Sequence, residues 1–259
     1  FSQPSKFETT GQFLAVFFPS LTAMVGYWAT LSLNISDFTR FAKSQKEQII
    51  GQSIGLPPTM TLFSFIGVAV TSATVVIYGT EIWDPVELLS KFDSKIIVIC
   101  ALFTLCIATI STNIAANIVS PANDFANVAP RFITFRIGGT IAGVIAIIMM
   151  PWKLLLNPDI YIFTWLIGYS ALLGPVAGAM ICDYFIIRKR QINVEELYRS
   201  DSKAPAIDPA AIIALFLGII INFPGFLKTV SNGAIQVPAI FNIIYTYAWF
   251  TGFLASFGT

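Results

Sequence analysis

The sequence predicts an all-α polytopic membrane protein with about seven transmembrane helices. Three observations predict it. Of the 259 residues, 56% are hydrophobic and only 11% are charged, against about 25% charged in a soluble domain. The charges are gathered into short segments, which leaves seven long stretches free of Asp, Glu, Lys and Arg. Most of those stretches reach the roughly 20 residues that cross a bilayer at 1.5 Å per residue. So few charged residues would not wrap so many apolar windows as the core of a soluble protein.

The elements follow in order from the charge gaps and the punctuation between them. The first span is placed at 13–36, within the uncharged run Phe13–Ser36. The second, at 53–78, lies in Gln48–Thr80, with Pro57-Pro58 near its start. In the loop that follows, Asp84-Pro85-Val86-Glu87-Leu88-Leu89 reads as a short helix. Asp84 is its N-cap and Pro85 its first helical residue. The third span is placed at 96–119, and Ser120-Pro121 and Pro130-Arg131 bracket an expected inner loop. The fourth, at 132–152, has a short uncharged core, Ile137–Trp152. It recruits Phe132–Phe135 when Arg136 snorkels to the interface. Trp83 and Trp152 sit at expected interfaces, where an amphipathic ring is at home. Asn157-Pro158-Asp159 opens the fifth span, 160–187, which Gly168, Gly174-Pro175 and Gly178 interrupt. Glycine and proline there permit either a gating bend or close helix packing. Gln191–Asp208 is the long polar stretch, and the last two spans are placed at 209–227 and 238–257. The whole, 1–259, is expected to form one transmembrane domain.

Lys and Arg set the expected orientation. With the loop after the first span inside, Arg40, Lys43, Lys46, Arg131, Arg136, Arg188, Lys189, Arg190, Arg199 and Lys203 all face the cytoplasm. Lys6, Lys91, Lys95, Lys153 and Lys228 do not. The amino end then starts outside and the carboxyl end finishes inside a plasma or inner membrane. The chain begins with Phe1 rather than Met, so it is expected to be the carboxyl-terminal piece of a longer protein.

Composition also excludes activities. The chain has no His, so it can supply no His-based triad, zinc site or proton relay. No nucleophile, base or metal cluster stands near the middle of a span, and no enzyme activity is expected. Cys100, Cys106 and Cys182 lie in apolar runs and read as small hydrophobes. A net charge of +1 offers no footprint for nucleic acid.

Polar residues inside spans usually face a bundle interior, and here they form two clusters. The first is Gly26-Tyr27-Trp28-Ala29-Thr30, followed by Ser32, Asn34, Ser36 and Asp37. A glycine beside two large aromatics can open a surface on which a flat ligand lies, and an indole face offers stacking. Ordinary aromatic packing between helices explains it as well. The second cluster runs from Ala108 to Asn117. Ala108, Ser111 and Thr112 share one helix face, and their carbonyl and hydroxyl oxygens suit a small cation. A sodium site would need about two more oxygens from another helix. Asn113 and Asn117 share a different face, and each amide carries both donor and acceptor for an imide or ureide edge. In an ideal helix Asn117 lies about 140° around from Thr112, so cation and organic ligand would touch different sides unless the helix bends. Small-residue packing with interhelical hydrogen bonds is the alternative. Asp37 and Asp183 stand near Arg40 and Arg188-Lys189-Arg190, which suits ion pairing at the inner interface.

At these residues the sequence resembles the nucleobase–cation symport family 1, a group of permeases for uracil, cytosine, purines, allantoin and hydantoins. The stretches that carry the likeness are Gly26-Tyr27-Trp28, Asn34–Phe41 and Ser111–Pro121, then Met149–Trp152 and Gly174-Pro175 through Asp183 to Arg190. It covers roughly Gly11 to Phe226. The resemblance implies a LeuT-like inverted-repeat fold, of which this chain would supply the sixth to twelfth spans. It also implies that Trp28 stacks on the ligand and that Asn117 is the ligand-binding amide. The Ala108 carbonyl, Ser111 and Thr112 match the sodium ligands of a hydantoin-transporting member. Tyr27 departs from that member, which has glycine there. The expected function is secondary active import of a small planar nitrogen heterocycle, uracil-like or allantoin-like, by symport with sodium or protons. No organic cofactor is implied, and the partners are the heterocycle, the cation and the lipid bilayer. A non-transporting membrane scaffold, or a LeuT-type carrier of another solute, are the alternatives.

Overall fold

The computed structural model describes residues 7–157, 160–193 and 208–259. Among them every regular element is a helix. In chain order these are α1 (Thr10–Leu33), α2 (Ser36–Thr39), α3 (Gln45–Tyr78), α4 (Pro85–Leu89), α5 (Lys95–Asn113), α6 (Val119–Val128), α7 (Phe135–Ile148) and α8 (Pro151–Leu155). Then come α9 (Ile167–Ile181), α10 (Pro209–Ile220), α11 (Phe223–Val230), α12 (Ala239–Thr246) and α13 (Ala248–Phe257). Three π-helical segments, Ile114–Ile118, Ile160–Leu166 and Cys182–Ile187, join or extend them. Among the described residues, five continuous helices are long and apolar enough to cross a membrane: Thr10–Leu33, Gln45–Tyr78, Lys95–Val128, Phe135–Lys153 and Ile160–Ile187. Counting the two bent pairs α10–α11 and α12–α13 as one span each gives seven.

By its internal contacts the chain divides into two compact units. The first is Asn34–Ile148; the second joins α1 to Met149–Thr259.

In the first unit, α3 starts at Gln45, well before the expected 53. Ser44 caps it by accepting the Glu47 N–H at 3.2 Å. Pro57 and Pro58 therefore lie inside the helix, with the hydroxyls of Thr59 and Thr61 bonding back to the carbonyls of Gly55 and Pro57 around them. Gly79, at φ 75°, closes α3 in the left-handed conformation that suits glycine. The short α4 forms as its sequence indicates. The Asp84 carboxylate accepts the Val86 N–H at 2.8 Å and Pro85 opens the helix. The expected loop after residue 119 is not a loop. Lys95–Val128 is one continuous span through a π turn, because Ser120 and Ala122 on α6 are buried and Gly138 of α7 packs directly on the Ala122 backbone. Tertiary packing overrides the proline signal there.

The second unit is held by small residues and buried hydroxyls. Gly26 of α1 lies against Ser170 and the Leu166 carbonyl. The Ser170 hydroxyl lies 3.1 Å from the Thr22 carbonyl and 2.8 Å from that of Leu166. The Thr22 hydroxyl donates in turn to the Thr246 carbonyl at 2.7 Å. Gly174 and Gly178, one turn apart on α9, face the Trp249 and Phe253 carbonyls of α13. Of the two uses open to these glycines, the structure shows close helix packing.

The last two spans, expected as simple helices, are each broken. α10 and α11 meet at 42°, and α12 and α13 at 91°. Asn222, only 1% exposed, stands at the first break. Its amide nitrogen reaches the Gly218 carbonyl at 3.2 Å and the Ala248 carbonyl at 3.4 Å. Its oxygen accepts the Thr251 hydroxyl at 3.2 Å. One carboxamide thus serves the Gly218 carbonyl freed at the first bend and ties it to the start of α13, which helps make a break tolerable at membrane depth.

At the carboxyl end of the fifth span, Asp183 and Arg188 form an exposed ion pair at 2.7 Å. The Arg40 guanidinium lies over the Phe41 ring at 5.0 Å, and among the described residues no ion pair joins it to Asp37. Pro158, Asp159, Arg199, Lys203, Lys6 and most of the polar stretch 191–208 lie outside the described residues.

Candidate functional site

The sequence-predicted residues fall in both units. Gly26, Tyr27 and Trp28 stand on α1, in the second. Gly26 is taken up by the contact with α9 described above. Tyr27 projects outward, 55% exposed. Trp28 is half-buried, with the Tyr27 ring edge-on to it at 5.5 Å and 80°. The indole therefore keeps an accessible surface but a restricted orientation. Two residues further along, the Thr30 hydroxyl and the Tyr169 phenol of α9 are hydrogen-bonded at 2.8 Å. Tyr169 was not anticipated from sequence. Its only signal was a phenol within the fifth span, and which hydroxyl it meets depends on how α1 packs on α9.

Ala108, Ser111, Thr112, Asn113 and Asn117 all lie on the continuous span of the first unit, and all are exposed. The Ser111 hydroxyl donates to the Ala108 carbonyl at 3.1 Å, so two of the three candidate cation oxygens are adjacent. The Asn117 amide donates to the Asn113 carbonyl oxygen at 2.6 Å. That bond fixes both carboxamides. It leaves the Asn117 oxygen, one Asn117 N–H and both Asn113 N–H groups facing outward. The pair thus keeps one carbonyl oxygen and further N–H groups without a partner inside it.

The helix changes winding where these groups stand. Ile114–Ile118 is a π turn. A π turn advances less than the 100° per residue of an α-helix, so Asn117 swings back toward the face that carries Thr112. The separation expected of an ideal helix is thereby reduced. π turns of this kind are frequent at functional sites. Among the described residues, no group of three or more His, Cys, Asp or Glu side chains could hold a metal ion. The candidate positions Ala108, Ser111 and Thr112 themselves offer neutral oxygens only.

A bundle of apolar helices with amides and hydroxyls on exposed span faces is the make-up of a polytopic membrane protein. Comparison with known proteins makes the class specific. The chain belongs to the family described as permeases for cytosine/purines, uracil, thiamine and allantoin, whose model matches residues 1–252. It is similar to the purine-uracil permease NCS1 of Arabidopsis thaliana, 45% identical over 95% of this chain and 42% of that protein. It is similar to the allantoin permease of Bacillus subtilis (strain 168), 44% identical over 99% of this chain and 51% of that protein. Its fold is similar to a solved structure of Mhp1 in the inward-facing conformation. There the TM-score is 0.66 at 26% identity, covering 93% of this chain and 50% of that one. The chain thus spans about half the length of the curated relatives it matches. It is an integral membrane protein of the permease type, not an enzyme, and carries part of a LeuT-like fold.

Proposed function

We propose that the protein carrying this chain imports a small planar nitrogen heterocycle, uracil-like or allantoin-like, by cation symport with alternating access. The observation that carries this reading is the hydrogen-bonded Asn113–Asn117 pair on a π turn of a permease-family span. A carboxamide already oriented by its neighbour loses little freedom on meeting the polar edge of a heterocycle. Asn117 makes that contact in this proposal, and Trp28 stacks on the ligand's flat face. Tyr27 borders the ligand and sets the substrate class. The purine-uracil and allantoin permeases among the relatives support this ligand class.

The Ala108 carbonyl and the Ser111 and Thr112 hydroxyls would supply three oxygens to sodium, with the remainder coming from elsewhere in the protein. Sodium is favoured over the proton because the span offers neutral oxygens rather than a carboxylate at that point. A coupling of 1–3 kcal/mol between ion and heterocycle is the usual range.

The test is uptake of labelled uracil and of labelled allantoin by the full-length protein, with and without sodium. Trp28→Ala and Asn117→Ala should each abolish uptake at an unchanged level in the membrane. Thr112→Val should raise the sodium concentration needed for half-maximal rate. Normal uptake in both ligand variants would overturn the site, and uptake indifferent to sodium would assign the coupling to protons.

A further inference from the structure

The last two spans are joined by a hairpin, and its short helices α11 and α12 enclose a polar pocket of about 330 Å³ within the second unit. Lys228 and Thr229 of α11 line one wall, Asn242 and Thr246 of α12 line the other, and Asn232 of the connecting turn completes it. Gly225, one turn before Thr229, packs directly on Tyr245 and the Phe241 carbonyl and so draws the two helices together.

The donors on this pocket have no other use. Lys228 is partly buried and is the sole charged residue between Pro209 and Thr259. Among the described residues no carboxylate lies within ion-pair distance of it. A lysine in the last turn of a helix commonly serves the terminal carbonyls. Here those of Leu227, Lys228 and Thr229 already accept the N–H groups of Ser231, Gly233 and Asn232, at 3.0, 2.9 and 3.1 Å. That turn holds Asn232 at φ 51° and Gly233 at φ 81°. The carboxamides of Asn232 and Asn242 have no hydrogen-bond partner among the described residues. The Thr229 and Thr246 hydroxyls, by contrast, are spent on the Gly225 and Asn242 carbonyls of their own helices.

An ammonium drawn out of water without an acceptor is costly, so the sign of the missing partner is negative. Its shape follows from the donors, which come from one helix, the turn and the facing helix. A tetrahedral oxyanion presents oxygens in three such directions, whereas a planar carboxylate suits the paired fork of an arginine. The hairpin also connects consecutive spans, which puts it at a membrane surface, the level of lipid phosphates.

We infer that the α11–α12 hairpin binds a phosphate group, held by Lys228 with Asn232 and Asn242. The pocket shares no residue with the ligand and cation positions proposed above and serves whatever solute is carried.

The complete protein, stripped of lipid in dodecyl maltoside, tests this in two arms. In one, inorganic phosphate is titrated against chloride at equal ionic strength and melting is followed. In the other, phosphatidylglycerol and a diacylglycerol with the same acyl chains are added, and retention is read by native mass spectrometry. A rise in melting temperature with inorganic phosphate assigns the pocket to free phosphate. Retention of phosphatidylglycerol several-fold above diacylglycerol, without that rise, assigns it to a lipid headgroup. In either case Lys228→Gln and Asn242→Ala should cut binding several-fold, Lys228→Arg should keep most of it, and Lys91→Gln should change nothing. Where Lys228→Gln fails to fold, Asn242→Ala decides together with Asn232→Gly, which removes the carboxamide but suits the left-handed turn. Equal retention of the two lipids with no response to phosphate, or binding indifferent to these substitutions, would overturn the assignment.

Discussion

The two units use the same composition in opposite ways. In the span Ile160–Ile187 of the second unit, 33% of the most apolar window is buried against other helices. In the span Lys95–Val128 of the first, none of the corresponding window is, and in Gln45–Tyr78 only 6% is. The second unit therefore makes its own interior from glycines, hydroxyls and one buried carboxamide. The first presents its helices, and the amides and hydroxyls that carry the proposed chemistry, to surroundings outside itself. Lipid drives no hydrophobic collapse between helices, so packing in the bilayer rests on close approach and hydrogen bonds. That is why the small residues concentrate where helices meet.

The sharpest way to break this contrast is to place the same substitution in both units. A side chain on Gly178 would fall on the Phe253 carbonyl, which is backbone and cannot step aside. Gly178→Leu should cost more than about 4 kcal/mol and yield no monodisperse protein on size-exclusion chromatography. Gly67 on α3 has nothing within 4 Å of an added Cβ, so Gly67→Leu should leave the elution profile and yield unchanged. Equal damage from both would show that α3 is as tightly enclosed in the full protein as α9 is here.

Next in size is the polar junction. Asn222→Ala removes a side-chain donor from the Gly218 carbonyl at the first break and one of two side-chain donors from the Ala248 carbonyl, and leaves the Thr251 hydroxyl its backbone acceptors. A cost of about 1–3 kcal/mol follows for buried groups left without a partner, read as a lower melting temperature in detergent. Thr251→Val should be largely non-additive with it, since the two side chains share one hydrogen bond. Full additivity would mean that the bends are held by something other than this carboxamide.

In the first unit the balance between stability and activity should reverse. Asn117→Ala removes an exposed hydrogen bond to Asn113, worth about 0.6 kcal/mol by the average for membrane proteins. Melting should barely move while uptake is lost. Asn113→Ala should weaken uptake less, because Asn117 keeps its amide and loses only its orienting partner. A large fall in melting temperature for either would place the pair in helix packing rather than in ligand binding.

What the sequence made legible follows from the same physics. The apolar windows were readable because a bilayer demands length and absence of charge, which composition reports directly. The Asp84-Pro85 cap was readable because capping is local. The π turn at Ile114–Ile118 was not, since α and π winding use the same residues and differ by one hydrogen-bond register. The breaks at Asn222 and Tyr247 were hidden for another reason. A mid-span asparagine looks alike whether it faces a ligand or the end of a bent neighbour. Trp28, Tyr27 and Asn117 were marked by residue type and by resemblance. Gly26 was marked too, but its place is decided by Ser170, a residue 144 positions away whose own role appears only once α1 packs on α9.

The smallest expected effect lies at the carboxyl end of the fifth span. Asp183 and Arg188 are paired at 2.7 Å, yet their side chains are 42% and 48% exposed. Water already solvates both groups well, so the pair gains little over its separated state. Arg188→Gln should change melting by only a few tenths of a kcal/mol, within the range of exposed pairs. Its charge has a second use that the pair does not exhaust. By the charge rule, Arg188, Lys189 and Arg190 together would weight this end of the span toward the cytoplasm. Removing one of three positive charges should leave the orientation intact, whereas Arg188→Gln with Lys189→Gln and Arg190→Gln should weaken it. Accessibility of a cysteine placed at Gln191 to an impermeant maleimide reads this directly. Labelling from outside in the natural sequence would reverse the orientation expected from the charge rule.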